Sequence, residues 1–145
     1  MPARTFPLIA VAVFLLAGIT SASDSRRLPG STLGVDEAFS KSYTVFVGQF
    51  TSFGRSGACG PGETDLYGSK VDATRILKGT YDPKVTVAFA VLSDLGERRP
   101  EMPLSYVFFV KKNDGKGVYF DPYAIVKLLP ATDDNIAKVR KLISN

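Results

Sequence analysis

The sequence predicts a mainly β domain: five strands closed into a small barrel, with a short N-terminal helix and a C-terminal helix packed on it. Three observations lead there. Runs rich in β-branched and aromatic residues recur from Tyr43 onward, divided by Gly, Pro, Asn and Asp. Helical patterning is confined to Val35–Lys41 and Thr132–Ser144, at the two ends of the domain. Bend signals sit inside the strands themselves, and closure removes the exposed edges that a short sheet otherwise presents.

The chain opens with a different kind of segment. Phe6–Ile19 (FPLIAVAVFLLAGI) carries no charge, follows Arg4, and is succeeded by the small residues Thr20, Ser21, Ala22 and Ser23. A positive start, a short apolar middle and a small-residue end describe a secretory signal peptide. A helical membrane span needs about 20 apolar residues, so the stretch is short for a permanent anchor. Residues 1–22 are therefore read as the signal peptide, with cleavage after Ala22. Residues 23–34, polar and containing Pro29-Gly30, read as a flexible leader. Residues 35–145 read as one domain.

Within that domain, Val35–Lys41 (VDEAFSK) predicts a two-turn helix with Asp36 and Glu37 in the first turn, where the helix dipole favours them. Tyr43–Phe53 predicts the first strand, with Val45, Val47 and Gln49 on one face and Phe46, Gly48 and Phe50 on the other. Gly48 signals a bend or close backbone packing. Gly54–Glu63, with four Gly and one Pro, predicts a loop. Leu66–Leu77 predicts the second strand, and its slipped alternation near Ala73–Ile76 a β-bulge. Lys84–Leu92 predicts the third, with Val85, Val87, Phe89 and Val91 facing one way. Ser93–Pro103 reads as a charged, solvated connector. Leu104–Lys112 is apolar on both faces and predicts a central or covered strand. Asn113–Lys116 predicts a hairpin turn, Gly117–Phe120 the start of the fifth strand, and Ile125–Leu129 its continuation or a segment across the barrel end. Thr132–Ser144 predicts a capped helix: Thr132 at the N-cap, Asp133 and Asp134 in the first turn, and Ile136, Val139, Leu142 and Ile143 along one face.

An OB-like barrel fits this order of elements, with the helices at the ends rather than between strands three and four. The pieces EAFSKSYTVFVGQFTS (Glu37–Ser52), VDATRILKG (Val71–Gly79) with KVTVAF (Lys84–Phe89), SYVFFV (Ser105–Val110) and LPATDDNIAKVRKLI (Leu129–Ile143) resemble the netrin-like branch of that fold. This branch includes the tissue inhibitors of metalloproteinases and uncharacterised exported bacterial domains. The resemblance implies a netrin-like barrel spanning most of the mature chain. It does not bring the inhibitors' mechanism, which places a mature N-terminal Cys on a protease zinc. This chain has a single Cys, Cys59, far from the predicted N-terminus, and lacks the disulfides usual in the branch.

Composition narrows the chemistry. With no His there is no Ser-His-Asp triad, Cys-His dyad or imidazole metal ligand. One Cys excludes an internal disulfide and a CxxC pair. The net charge of +4 is spread over small basic pairs and does not suggest a nucleic-acid surface. Neither a cofactor nor a metal is expected: there is no phosphate-loop motif and no calcium-loop motif.

Asp133 and Asp134, or Asp94, Glu97 and Glu101, are the carboxylates available for glycosidase-type chemistry. Helix capping accounts for the first pair and an ordinary solvated loop for the others. Ser40-Lys41-Ser42 lacks the S-x-x-K spacing of Ser-Lys catalysis. Cys59 is either an incidental thiol or the site of an intermolecular disulfide. In the aromatic-rich stretch Tyr106–Tyr123, core packing explains most rings. Tyr119 and Tyr123, near the barrel end, are the ligand-binding candidates.

The expectation is a secreted or periplasmic, non-enzymatic binding domain. Its partner is an extracytoplasmic protein or glycan, not nucleic acid, and it has no membrane span after cleavage. It is a monomer or a Cys59-linked dimer. The alternatives are a small exported hydrolase using carboxylates only, and an envelope scaffold module joined through Cys59.

Overall fold

The computed structural model describes residues 27–59, 64–84, 86–113 and 122–145. The predicted signal peptide (1–22) and Tyr119 lie outside the described residues, as do Val85 and the predicted turn from Asp114. The elements are α1 (Val35–Lys41), β1 (Thr44–Cys59), β2 (Thr64–Lys78), β3 (Val87–Leu92), a single 3-10 turn (Ser93–Leu95), β4 (Ser105–Lys112), β5 (Tyr123–Pro130) and α2 (Asp133–Ile143). The strands close in the order β1-β2-β3-β5-β4, an OB-like barrel. Every neighbouring pair is antiparallel except β3 with β5. No helix among the described residues is long and apolar enough to cross a membrane.

Strand alternation sorts side chains into two cores. Phe46, Phe50, Val71, Val87, Phe89, Val91, Tyr106, Phe108, Val110 and Leu128 fill the barrel. Val45, Val47, Val107 and Phe109 point outward and are covered by Ala38 of α1 and Ile136 and Val139 of α2. Hence β4, apolar on both faces, is buried on both from Tyr106 to Val110. The rings of Phe46 and Phe108 stack at 4.9 Å, and Phe50 lies 4.9 Å from Phe108. Contacts of this kind add to the area each ring buries.

β1 bends because β2 carries extra residues opposite it. The pairing jumps from Val45↔Lys78 to Phe46↔Ile76 and from Val47↔Arg75 to Gly48↔Ala73, leaving Leu77 and Thr74 unpaired. These are bulges in the stretch where the alternation slips. The Thr74 hydroxyl donates to the Val47 carbonyl at 3.1 Å. At Gly48 a Cβ would stand 2.5 Å from the Asp72 carbonyl oxygen, so the glycine permits a close approach of the two strands.

β1 also runs further than its sequence suggests. Residues 54–59, expected as loop, pair with 64–68, from Gly54↔Gly68 to Cys59↔Thr64. Their small residues have little strand preference of their own. β2 is held on its other side by β3, Thr64↔Leu92 through Ser69↔Val87, and this fixed strand extends the register. β5 runs over Tyr123–Pro130 and β3 starts at Val87, while the expected strand start Gly117–Phe120 lies outside the described residues.

The helices follow their caps. Thr132 Oγ1 accepts from Asn135 N at 3.3 Å. Ile136 and Val139 are buried, but Ile143, the last residue of α2, is half exposed. At α1, Lys78 of β2 donates to the carbonyls of Phe39 and Ser42, each at 2.7 Å, and lies over the Phe39 ring. A cation thereby satisfies the C-terminal carbonyls of the helix.

Barrel closure is thin at one seam. Among the described residues, β3 and β5 pair only through Val87↔Tyr123 and Ala88↔Ala124. Beyond them the gap is filled by 27–30, part of the segment read as a flexible leader. Arg27 N donates to Gly96 O and Arg98 N to Arg27 O, both at 2.8 Å, while Leu128 N donates to Pro29 O at 3.0 Å. Leu28 packs against the barrel core.

The carboxylate that holds this seam is Glu97, buried at 3 % exposure, although the connector reads as solvated. Its Oε1 accepts from Gly30 N at 3.1 Å and its Oε2 from Leu92 N at 3.0 Å. Lys127 Nζ donates to Gly30 O at 3.0 Å. Burial lowers the Lys127 pKa, with Glu97 acting in the opposite direction.

Gly30 has φ +75°, and a Cβ there would meet the Val126 carbonyl oxygen at 2.2 Å. Gly30→Ala is expected to lower unfolding stability by about 1–3 kcal/mol, read from the urea midpoint. Gly34→Ser should do the reverse by a few tenths of a kcal/mol: Gly34 is the α1 N-cap, has no side-chain cap, and has nothing within 4 Å of its Cβ position.

Candidate functional site

Two regions of the barrel surface gather aromatic and charged side chains. The first surrounds Tyr123, a sequence candidate, at the start of β5. The Tyr123 ring lies 5.8 Å from Tyr81 and 6.4 Å from Tyr43. Lys112 at the end of β4 places its ammonium 4.1 Å above the Tyr43 ring, a cation–π contact. The Tyr43 hydroxyl shares a hydrogen bond with Thr80 Oγ1 at 3.1 Å. This bond and the Lys112 ammonium hold the Tyr43 phenol below its ordinary pKa. Tyr81 behaves oppositely. It stacks on Phe46 of the barrel core at 4.3 Å, and its buried hydroxyl has no hydrogen-bond partner. Burial, and then the neighbouring Tyr123, Asp82 and Asp72, push its pKa up to about 12. Tyr123 is thus half-buried in a wall of rings rather than isolated at the rim.

The second region is a cleft of about 580 Å³ between the inner face of β1–β2–β3 and the connector 96–104. Its sheet side is Phe53, Asp65, Tyr67 and Val91; its other side is Ser93 and Glu97–Met102. The strand register brings these together: Tyr67 pairs with Phe89 and Asp65 with Val91. One face of Tyr67 is occupied by the Phe89 ring at 5.1 Å, and Phe53 meets Tyr67 edge-on at 6.2 Å. The connector is held in place by Glu97, by buried Pro100, and by Glu101 N, which donates to the Tyr106 hydroxyl at 2.8 Å.

The two arginines of the cleft differ. Arg98 is committed: its guanidinium pairs with Glu101 at 3.1 Å and is largely covered. Arg99 is exposed, and its guanidinium lies over the Phe53 ring, 4.8 Å from the centroid. It takes no part in the ion pairs among the described residues, Lys41–Glu37 and Arg98–Glu101. A guanidinium with no carboxylate partner keeps its N–H groups available for a planar anion.

Among the sequence candidates, Tyr123 enters the aromatic wall, and Tyr119 lies outside the described residues. Cys59 ends β1 opposite Thr64, with its side chain outside the described set. Of the connector carboxylates, Glu97 and Glu101 line the cleft, but each is engaged by the fold: Glu97 by two backbone amides and Glu101 by Arg98. The described residues include no cluster of three or more metal-ligating side chains.

Phe53, Tyr67 and Arg99 were not singled out from sequence. Arg98-Arg99 reads as an ordinary surface pair, and only the strand register puts an aromatic ring beneath the second of them. No family model matches the chain, and no curated protein matches it.

Tyr81→Phe removes a buried, unpartnered hydroxyl and should raise stability slightly at neutral pH. The gain should grow as pH rises from about 10 toward 12. In that window the unfolded phenol ionises while the folded one stays neutral, so the wild type alone loses stability there. Urea midpoints at pH 7 and pH 11 check both parts.

Proposed function

We propose that this protein is an exported, non-enzymatic binding domain whose extracytoplasmic ligand, a protein or a glycan, seats in the cleft beside the connector. The observation that carries the reading is Arg99. It lies on Phe53 at the mouth of a cleft of about 580 Å³, with no ion-pair partner among the described residues. The volume falls within the range usual for ligand sites. Export is inferred from the signal-like segment 1–22, and membership of the netrin-like branch from the quoted sequence pieces. The OB-like strand order supports that branch at the level of the barrel alone.

A carboxylate-only hydrolase is the weaker reading on this geometry. Glycosidase chemistry needs one carboxyl group free to donate a proton and another free to attack or activate water. Glu97 spends both oxygens on backbone N–H groups. Glu101 faces Arg98.

Two measurements test the proposal. N-terminal sequencing of the protein recovered from outside the cytoplasm should begin at Ser23; an intact Met1 terminus there would contradict cleavage. Binding to immobilised envelope glycans and extracytoplasmic proteins should fall at least about tenfold in the double variant Phe53→Ala, Arg99→Ala, since it removes both the ring and the charge. Undiminished retention by that variant, or glycan hydrolysis abolished by Glu101→Gln, would count against it.

A further inference from the structure

The chemistry of the ligand can be narrowed further, resting on the cleft reading above. We infer that the cleft receives an acidic side chain of a protein partner, with its carboxylate on Arg99 and its apolar neighbours on the connector. Arg99 supplies the polar half of this argument. The Arg99 guanidinium lies 4.8 Å from the Phe53 ring centroid, and its paired N–H groups match the two oxygens of a carboxylate. Arg98 cannot substitute, since Glu101 already occupies it.

The apolar half lies in the same segment. Leu95, Met102 and Leu104 are each about half exposed, and Met102 lines the cleft itself. They make up half of the exposed large hydrophobics among the described residues: Tyr43, Ile76, Leu95, Met102, Leu104 and Ile143. Met102 beside an Arg and two aromatic rings matches the composition at the centre of a protein–protein contact.

The test is an amide-resolved NMR titration of the mature protein with three probes at millimolar concentration. They are the peptide Ac-Leu-Glu-Leu-NH2, its isostere Ac-Leu-Gln-Leu-NH2, and free glucuronate. The expected result is saturable shifts at Phe53, Arg99 and Met102 with the Glu peptide. Binding should be about tenfold weaker for the Gln peptide, and about tenfold weaker for the Glu peptide on the Arg99→Gln variant. Arg99→Lys should restore only part of the loss. Because Arg99 is exposed, its variants keep the wild-type spectrum elsewhere, which the same titration verifies.

Glucuronate binding there as tightly as the Glu peptide would overturn the protein partner in favour of an acidic sugar and leave the binding-domain reading intact. If no probe shifts these residues while retention of extracytoplasmic material still depends on Phe53 and Arg99, the acidic group is wrong and the cleft stands. Failure of both measurements rejects the cleft as well.

Discussion

The barrel depends on how the seam between β3 and β5 is closed. Two residue pairs hold the strands together directly, and beyond them the backbone groups of Leu92 and Leu128 need other partners. Buried backbone N–H groups are rarely left unsatisfied. Here a side-chain carboxylate and a piece of N-terminal backbone take the place of a ladder: Glu97 accepts from Leu92 N, and Pro29 O accepts from Leu128 N. Gly30 couples the two, since its N–H reaches Glu97 and its carbonyl receives Lys127. The left-handed backbone at Gly30 is what allows the chain to pass so close to β5.

This closure also positions the cleft. Glu97 is both the clamp of the seam and the first residue of the segment that forms the cleft's outer wall. Pro100 buried just after it, and the bond from Glu101 N to the Tyr106 hydroxyl, tie the same segment to the barrel core. Arg98 and Arg99 are therefore displayed from a loop fixed at several points. Fixed presentation lowers the conformational entropy lost when a ligand binds.

Much of the fold is legible in the sequence because alternation and capping are local signals. The α1 bounds, the Thr132 cap, the bulges near Ala73 and the doubly covered β4 all follow from spacing and residue type. The misreadings come from long-range effects. Gly54–Cys59 has a loop-like composition and becomes strand because β2, fixed by β3, continues the ladder. Glu97 has the composition of a solvated connector and is buried, because its partners Gly30 and Leu92 lie on separate parts of the chain. The candidate site was less legible. The aromatic wealth around Tyr123 was visible as composition, whereas Phe53 beneath Arg99 arises from tertiary register that no local spacing encodes.

The leader's attachment to β5 bears on the order of folding. Lys127 and Gly30 are 97 residues apart in the chain yet meet directly. Contacts of such high sequence separation form late and slow the search for the native state. The earliest part of the folded domain to leave a ribosome or a translocation pore has to wait for nearly the last. Until β5 emerges, the seam stays open and the outer core on β1 lacks α2. A chain built this way completes its barrel only once Lys127 is free to reach Gly30.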